Sequence, residues 1–554
     1  MVDVKPREML NIVYKDNPYE LEATCTSLDL IKKYHLPVKN PVATVINGYL
    51  TRLSHPIRVD SVIEFIERGT PEGERIYESS VIFLFVVAFT KKFPQLKVFI
   101  QHSIDLGVYA EVKDRPMKDK EVKSVLSLMR KIVDEKIPIN RIERDWEVSL
   151  KLMREQMRTD IINLFRYYRP GSFKTYEIKG VEEVFYLPLL PNTFDIDSFD
   201  LRRYRSGFVI LFQNPDANGE TPFQDRPKVF NTYREHNRWG RAIKVRTVGH
   251  LNRYIMTDEI KDFVKVAESL HEKKIAKIAD EITQRDFVPR VVLIAGPSSS
   301  GKTTFSKRLG IQLMVNGFRP VAISLDDYFI DRDMTPLDAN GDHDFECLEA
   351  IDVKLFTEHL QNLIKGEEVE LPHYNFYTGK QELSGKKLRL ESDQILIIEG
   401  IHGINPKLTE TIAEKHKFRI LVWALTQLNL HRHDRIPATD TRLLRRIVRD
   451  SLFRGYTAND TLLRWRSVRA GEEKHIFPLQ DNPDAIFNSA LFYELSVLKL
   501  QAEKELLRVE SSHPMYIVAQ RLLKFLTYFL PLVPDDVPKN SILREFIGGS
   551  SFKY

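Results

Sequence analysis

The sequence predicts an α/β protein of several domains, its C-terminal side a parallel, doubly wound sheet. Three observations carry that expectation. Five apolar residues, 291–295, run into Gly296-Pro297-Ser298-Ser299-Ser300-Gly301-Lys302-Thr303, with Thr304 next. That is a strand, a glycine-bounded phosphate-binding loop and a helix start in register. Three further apolar runs, 321–325, 395–398 and 418–422, alternate with helical or loop stretches, as parallel strands joined by crossovers do. Finally, 554 residues are too many for one core.

Composition narrows the class. With 43% hydrophobic and 29% charged residues the chain reads as a soluble globular protein. A net charge of +5 on 82 basic and 77 acidic residues is too slight to argue for nucleic acid by itself. Two cysteines, Cys25 and Cys347, have no metal-like spacing, which fits a reducing cytoplasm and excludes a disulfide scaffold. The N-terminus lacks the apolar core of a signal peptide. The longest apolar run, 81–89, is far too short to span a bilayer, so no membrane partner is expected. Homo-oligomerisation stays open.

Residues 1–65 are expected to form a small β-rich domain. Residues 10–14 and 42–46 read as strands, Leu28, Leu30, Ile31 and Tyr34 as a short helix, and Asn47-Gly48 as a tight hairpin turn. A ubiquitin-like β-grasp fits this order. Residues 66–245 mix helices and strands. Helices are expected at 81–89 and 122–132, and a long helical segment at 141–167, where Trp146, Leu150, Met153, Met157 and Ile161 recur at helical spacing. Residues 184–190 and 208–212 read as strands, and 213–226 as a loop.

These two regions resemble the N-terminal TGS and editing-type modules of threonyl-tRNA synthetases. The likeness runs through Ser79-Ser80-Val81-Ile82-Phe83, Phe93-Pro94 and Gly107-Val108-Tyr109-Ala110-Glu111-Val112. The resemblance places Ser79, Phe83, Phe185 and Leu189 where the synthetases keep the metal ligands of an editing site. Phenylalanine and leucine cannot ligate zinc. The metal pocket is therefore expected to have become core, which leaves hydrolytic editing without its metal.

Residues 226–255 carry Arg226, Lys228, Arg234, Arg238, Arg241, Lys244, Arg246 and Arg253, interleaved with Phe230, Tyr233 and Trp239. Such a stretch is either an RNA-contacting patch or a solvated basic face with buried aromatic anchors, and Glu235 favours the second. Thr257 then reads as a helix cap. Ile260, Phe263, Val264, Ala267 and Leu270 mark a connector helix within 246–287, ending near Thr283.

In the domain expected at 288–505, ligands belong at the carboxyl ends of the strands. There Lys302 would reach the outer phosphates and Thr303 would ligate Mg²⁺. The amides of Gly296, Ser298, Ser299, Ser300, Gly301 and Thr304 complete the loop. The second strand ends in Asp326-Asp327-Tyr328 and the third in Glu399-Gly400. A carboxylate at the first can take a hydroxyl proton, and one at the second can organise a metal. Arg442, Arg445, Arg446 and Arg449 fall at i, i+3, i+4 and i+7, one face of a helix, with Arg454 beyond. They read as a lid that brings guanidinium groups onto a transferring phosphoryl.

Together these residues resemble the uridine kinase/phosphoribulokinase family, over about 288–500. The likeness rests on GPSSSGKTT, on Asp326 in SLDDYF, and on Phe345-Glu346 before Ala350-Ile351-Asp352. It continues through Leu371-Pro372-His373-Tyr374-Asn375-Phe376, IIEG and DTRLLRRIVRD. The resemblance implies a kinase domain of the P-loop NTPase type using ATP and Mg²⁺. Asp326 would be the base, with Thr303, Asp326 and Glu399 at the metal. Lys302, Arg449 and Arg454 would act in catalysis, and Glu346, Tyr374, Arg446 and Tyr456 would face the acceptor. Three departures fall in the acceptor pocket. Glu346 stands for the family's ribose-binding Asp, Gly379 for its base-reading His, and Tyr456 for the second lid arginine; residues 426–437 are extra. The expected acceptor is a small molecule with a free hydroxyl, nucleoside or sugar-like. The rival expectation is an RNA-binding regulator switched by ATP. The tail, 506–554, reads as helical, ending in a short helix stopped at Gly548-Gly549, a latch with no chemistry assigned.

Overall fold

The structure is a computed structural model. It describes residues 9–113, 115–168, 170–215, 221–337, 341, 343–375 and 377–553. Phe376, part of the motif quoted above, lies outside the described residues, as does part of the 213–226 loop.

The first five strands form one sheet in the order Asn17–Glu22, Met9–Tyr14, Ser61–Glu67, Pro41–Ile46, Tyr49–Thr51. Met9–Tyr14 and Ser61–Glu67 run parallel while the other neighbours are antiparallel, the arrangement of a β-grasp. The helix Ser27–Tyr34 packs on it, capped by Thr26. Asn47 and Gly48 both take positive φ, 49° and 81°, which a two-residue hairpin needs.

The helix Pro71–Lys92 is buried along 80–89 and forms the spine of the next region. Beside it lie a four-stranded antiparallel sheet and a three-stranded one. Two expectations fail here. Residues 141–167 are not one helix: Asn140–Arg144 pairs antiparallel with Phe173–Ile178, and two short helices follow, Trp146–Glu155 and Thr159–Leu164. Asp145 caps the first, and Met157, at φ 51°, interrupts the path to the second. Local apolar spacing was overridden by strand pairing. Residues 184–190 are buried but not a strand; only Val181–Glu183 pairs.

The basic stretch forms two helices, Pro227–Ala242 and Val248–Ile255. The connector is Ile260–Thr283; Glu259, not Thr257, precedes it and makes no side-chain cap, and the Thr257 hydroxyl donates back to the Tyr254 carbonyl. It lies along the phosphate-loop helix Lys302–Val315, where Arg308 pairs with Glu272 at 2.6 Å.

The C-terminal sheet has the order Arg319–Ser324, Gln394–Glu399, Val291–Ala295, Lys417–Trp423, Ala485–Asn488. Every neighbouring pair is parallel. The strand order turns back at the phosphate-loop strand, the point where such sheets open a ligand crevice. A two-stranded hairpin, Glu368–Asn375 with Lys380–Arg389, flanks the sheet. The extra residues 426–437 join the halves: Ile100 donates its amide to the Arg432 carbonyl at 2.9 Å, and Asn429 donates to the Ile100 carbonyl at 2.6 Å. Among the described residues no helix is long and apolar enough to cross a membrane.

Candidate active site

The phosphate loop leaves a fully buried strand and starts a helix at Lys302. Gly296 has no room for a side chain, since a Cβ there would lie 2.1 Å from the Val422 carbonyl oxygen. Gly301 turns the chain at φ 85°, and Ser299 sits at φ 58°. This winding aims backbone amides into one concavity at a helix N-terminus, an anion cradle. The Lys302 ammonium donates to the Gly296 carbonyl at 3.0 Å, folded across the loop's own mouth. Ser300 and Thr304 are buried; the Ser300 carbonyl accepts from the Ser489 hydroxyl.

Two strand ends bring acids to this loop. Thr303 donates its hydroxyl to both oxygens of Glu399, at 2.9 and 3.1 Å. Burial pushes the Glu399 carboxyl up to about 7, with the Asp326 and Glu545 charges raising it and Lys302 lowering it. Asp326 follows the strand Arg319–Ser324 in a short 3₁₀ turn, its amide donating to Ser324 Oγ at 3.2 Å. Its carboxylate is open to solvent but lies at the bottom of a recess. Loss of water there raises its pKa, while Lys302, Arg454 and Arg449 pull it back down. Lys302, Asp326 and Glu399 thus act on one another's charge at a single edge of the sheet.

The helix Ala438–Phe453 divides its arginines by depth. Arg442 and Arg445 do not form a lid: both are fully buried. Arg442 pairs with Glu472 at 2.7 Å and donates to the Ser298 carbonyl at 3.1 Å. Arg445 pairs with Glu494 and donates to the Ser299 carbonyl at 3.3 Å. They brace the phosphate loop from behind, and a helix that deep cannot swing as a lid. Arg446, Arg449 and Arg454 instead converge on one buried carboxylate, Asp450, at 3.3, 2.8 and 3.8 Å. Three guanidiniums face two acids there, Asp450 and Asp326, so positive charge is left in excess. Arg446 also donates to Ser298 Oγ at 2.7 Å, and Arg454 is 51% exposed.

On the acceptor side, burial pushes Glu346 up to about 7; Glu472 and Asp326 raise it further, and Arg446 and Lys302 oppose them. Glu346 packs on Gly471, where a Cβ would come within 2.4 Å of it. Tyr374 is 1% exposed, its ring edge-on to Phe329 at 5.5 Å, so it shapes the wall from behind and presents no surface. Tyr456 turns outward under Arg464, 4.5 Å from the guanidinium. Gly379, at φ 73°, is covered by Arg332, whose guanidinium carbon would lie 2.8 Å from a Cβ there.

Sequence reasoning passed over four acids that meet this machinery. Asp450 gathers the arginines, and Glu494 pairs with Arg445. Glu472 accepts the Ser298 amide at 3.0 Å. Glu545, in the tail, accepts the Thr304 amide at 3.1 Å and its hydroxyl at 2.7 Å. Asp450, one residue after Arg449, was the most readable; nothing local marked the others.

In the front half, Phe83 meets Phe185 edge-on at 5.7 Å, and Leu189 is fully buried. Ser79 donates to the Arg75 carbonyl at 2.9 Å within its helix. The apolar positions of the expected lost metal pocket therefore share one core. The basic stretch spends much of its charge internally: Arg226 pairs with Asp481 at 3.0 Å, Arg241 with Glu111 at 2.7 Å, and Arg246 covers Phe99. Phe230 and Tyr233 are buried.

Residues 291–492 match the model of the Phosphoribulokinase / Uridine kinase family. The uridine kinase of Halobacterium salinarum is 26% identical over 214 residues, 38% of this chain and 86% of that protein. The threonine–tRNA ligase of Clostridioides difficile is 24% identical over 177 residues, 30% of this chain. The chain spans only 28% of that ligase's length. The ligase matches fall on the N-terminal half. Among solved structures, D-glycerate 3-kinase from Cryptococcus neoformans is 16% identical, covering 51% of this chain and 89% of its own, with a TM-score of 0.22. The sequence matches bear out a kinase-type domain behind a synthetase-like front half, and a phosphotransferase acting on a hydroxyl group.

Proposed function

We propose that the chain is an ATP- and Mg²⁺-dependent kinase that transfers the γ-phosphoryl group to a hydroxyl of a nucleoside or a related sugar-like molecule. One observation carries this reading: Lys302, Asp326, Glu399, Arg449 and Arg454 act on each other's charge at the carboxyl edge of one parallel sheet. Asp326 accepts the proton of the acceptor hydroxyl. Lys302 leaves the Gly296 carbonyl for the outer phosphates, and the loop amides hold the rest. Arg449 and Arg454 supply the unmatched positive charge that a phosphoryl in transfer needs.

The donor set fits a hard divalent cation. Thr303 and Glu399 present a hydroxyl and a carboxylate already in contact, with Asp326 beside them. Among the described residues no group of three or more His, Cys, Asp or Glu is placed to hold a metal alone. Mg²⁺ does not need one, because it binds through one or two carboxylates together with phosphate oxygens and water. When bound it would neutralise the phosphates during transfer.

Glu346 and Arg446 would meet the acceptor. Gly379 has no side chain where the resembled family keeps a base-reading His, and Arg332 covers it, which weakens discrimination among nucleobases. A panel of nucleosides and sugars with ATP, followed by ADP release, tests the reading. A single strong acceptor is expected. Silence across the panel with ATP binding intact would favour the nucleotide-switched regulator instead.

A further inference from the structure

The C-terminal segment sits on the phosphate loop as a ligand would. Glu545 Oε2 takes both the amide and the hydroxyl of Thr304, in the first turn of the phosphate-loop helix. First-turn amides have no partner inside the helix and are where such loops hold phosphate oxygens. The same segment also covers the loop's second glycine. Ile542 Cγ2 lies 2.5 Å from the place a Cβ on Gly301 would take. Glu545 is near enough to Glu399 for its charge to raise that acid's pKa.

The segment is built to hold this pose. Ser541, Ile542, Leu543 and Phe546 are fully buried, and the Arg445 guanidinium lies over the Phe546 ring at 4.9 Å. Arg544 turns away and ties the segment to itself, donating to the carbonyls of Pro534, Val537 and Gly548. Glu545 is therefore the charged side chain that this short helix, Arg544–Ile547, delivers to the loop. Gly548 packs on Phe453, at the end of the arginine helix, so movement of the tail would be felt by the helix that carries Arg449.

We infer that the tail is an intramolecular competitor of the donor nucleotide: the Glu545 carboxylate stands in for a phosphate on Thr304, and nucleotide binding displaces it. A phosphate and a carboxylate cannot share one amide, because their charges repel and their oxygens need the same space. The inference rests on the kinase reading only in that the loop takes a nucleotide; it does not need transfer to occur.

The test uses the full chain with ATP, with and without Mg²⁺. Glu545→Ala should tighten ATP binding roughly tenfold, the loss of one charge-assisted hydrogen-bond competitor, and Glu545→Gln should tighten it less. In the unmodified chain, ATP should slow hydrogen exchange of amides 298–304 and speed that of 541–549. Unchanged or weaker ATP binding by Glu545→Ala, or a tail that stays protected while the loop becomes protected, overturns the inference. Failure of ATP to protect the loop would instead remove the kinase reading itself. Exchange on the unmodified chain answers the question even if a variant folds poorly.

Discussion

Arg75, on a helix of the front half, holds Asp440 in the first turn of the arginine helix at 2.9 Å. Arg521, from the C-terminal helices, holds the same carboxylate through two contacts at 2.7 and 3.0 Å. One buried acid thus joins three parts of the chain, and the front half grips the helix that braces the phosphate loop. Removing one partner of a buried pair leaves a charge uncompensated.

Arg75→Ala should cost about 2 kcal/mol in urea unfolding, because Arg521 still answers Asp440. Arg521→Ala should cost about 3–5 kcal/mol, since Arg521 is fully buried and holds Glu72 as well. Equal and negligible effects would mean that Asp440 does not help hold the front half to this helix.

Asp326→Asn should bind ATP like the unmodified chain and lose on the order of 10²–10⁴ in turnover. Calorimetric ATP binding beside ADP release separates the two quantities. Near-normal turnover would take Asp326 out of the chemistry.

The Glu399 carboxyl lies near 7 in the folded chain, against a usual 4.5. Between those values the native state keeps a proton that the unfolded chain has lost. Its contribution to stability is therefore full below pH 4.5 and is lost as pH rises through 7. Buried histidines such as His102 and His236, held low by burial, change stability in the opposite direction. The clean quantity is the stability of the unmodified chain minus that of Glu399→Gln, which should fall as pH rises across this window. Turnover should rise over the same window, because a metal-organising acid must be ionised. A flat difference would place Glu399 in ordinary solvent.

Phe83 is fully buried and meets Phe185 edge-on, so its role is packing. Phe83→Ala should cost about 3–5 kcal/mol in urea unfolding, the usual price of emptying a large buried aromatic site. A cost well under 1 kcal/mol would mean that the pocket is still open space.

What could be read in advance was local. The phosphate loop and the acids after VAISL and ILII are short patterns whose meaning depends on immediate neighbours. Asn47-Gly48 and Gly548 announced their turns in the same way. What could not be read depended on distant partners. Asn140–Arg144 became a strand only because Phe173–Ile178 lay beside it. Ala485–Asn488, four residues long, is too short to stand out, and it completes the sheet through Lys417–Trp423. Glu545 is 241 residues from Thr304, and no periodicity connects them. The extra residues 426–437 looked like an insertion and proved to be part of the seam between the halves.

The arginine helix makes the sharpest case, since i, i+3, i+4 and i+7 share a face without sharing a role. Arg445 is fully buried, paired with Glu494 and bound to the Ser489 and Ser299 carbonyls. Arg449 reaches the surface of the recess, where its nearest acid, Asp450, is already shared with Arg446 and Arg454. Arg445→Ala should therefore act on the fold, costing about 3–5 kcal/mol because Glu494 is left buried and alone. Arg449→Ala should leave stability within about 1 kcal/mol, since two arginines still answer Asp450, yet lower turnover about 10²-fold with ATP affinity nearly unchanged. Urea unfolding and steady-state kinetics on the two variants would show opposite signatures. If both lost stability alike, the helix would be a brace throughout, and the phosphoryl would need its positive charge from Lys302 and Arg454, which lies beyond the helix.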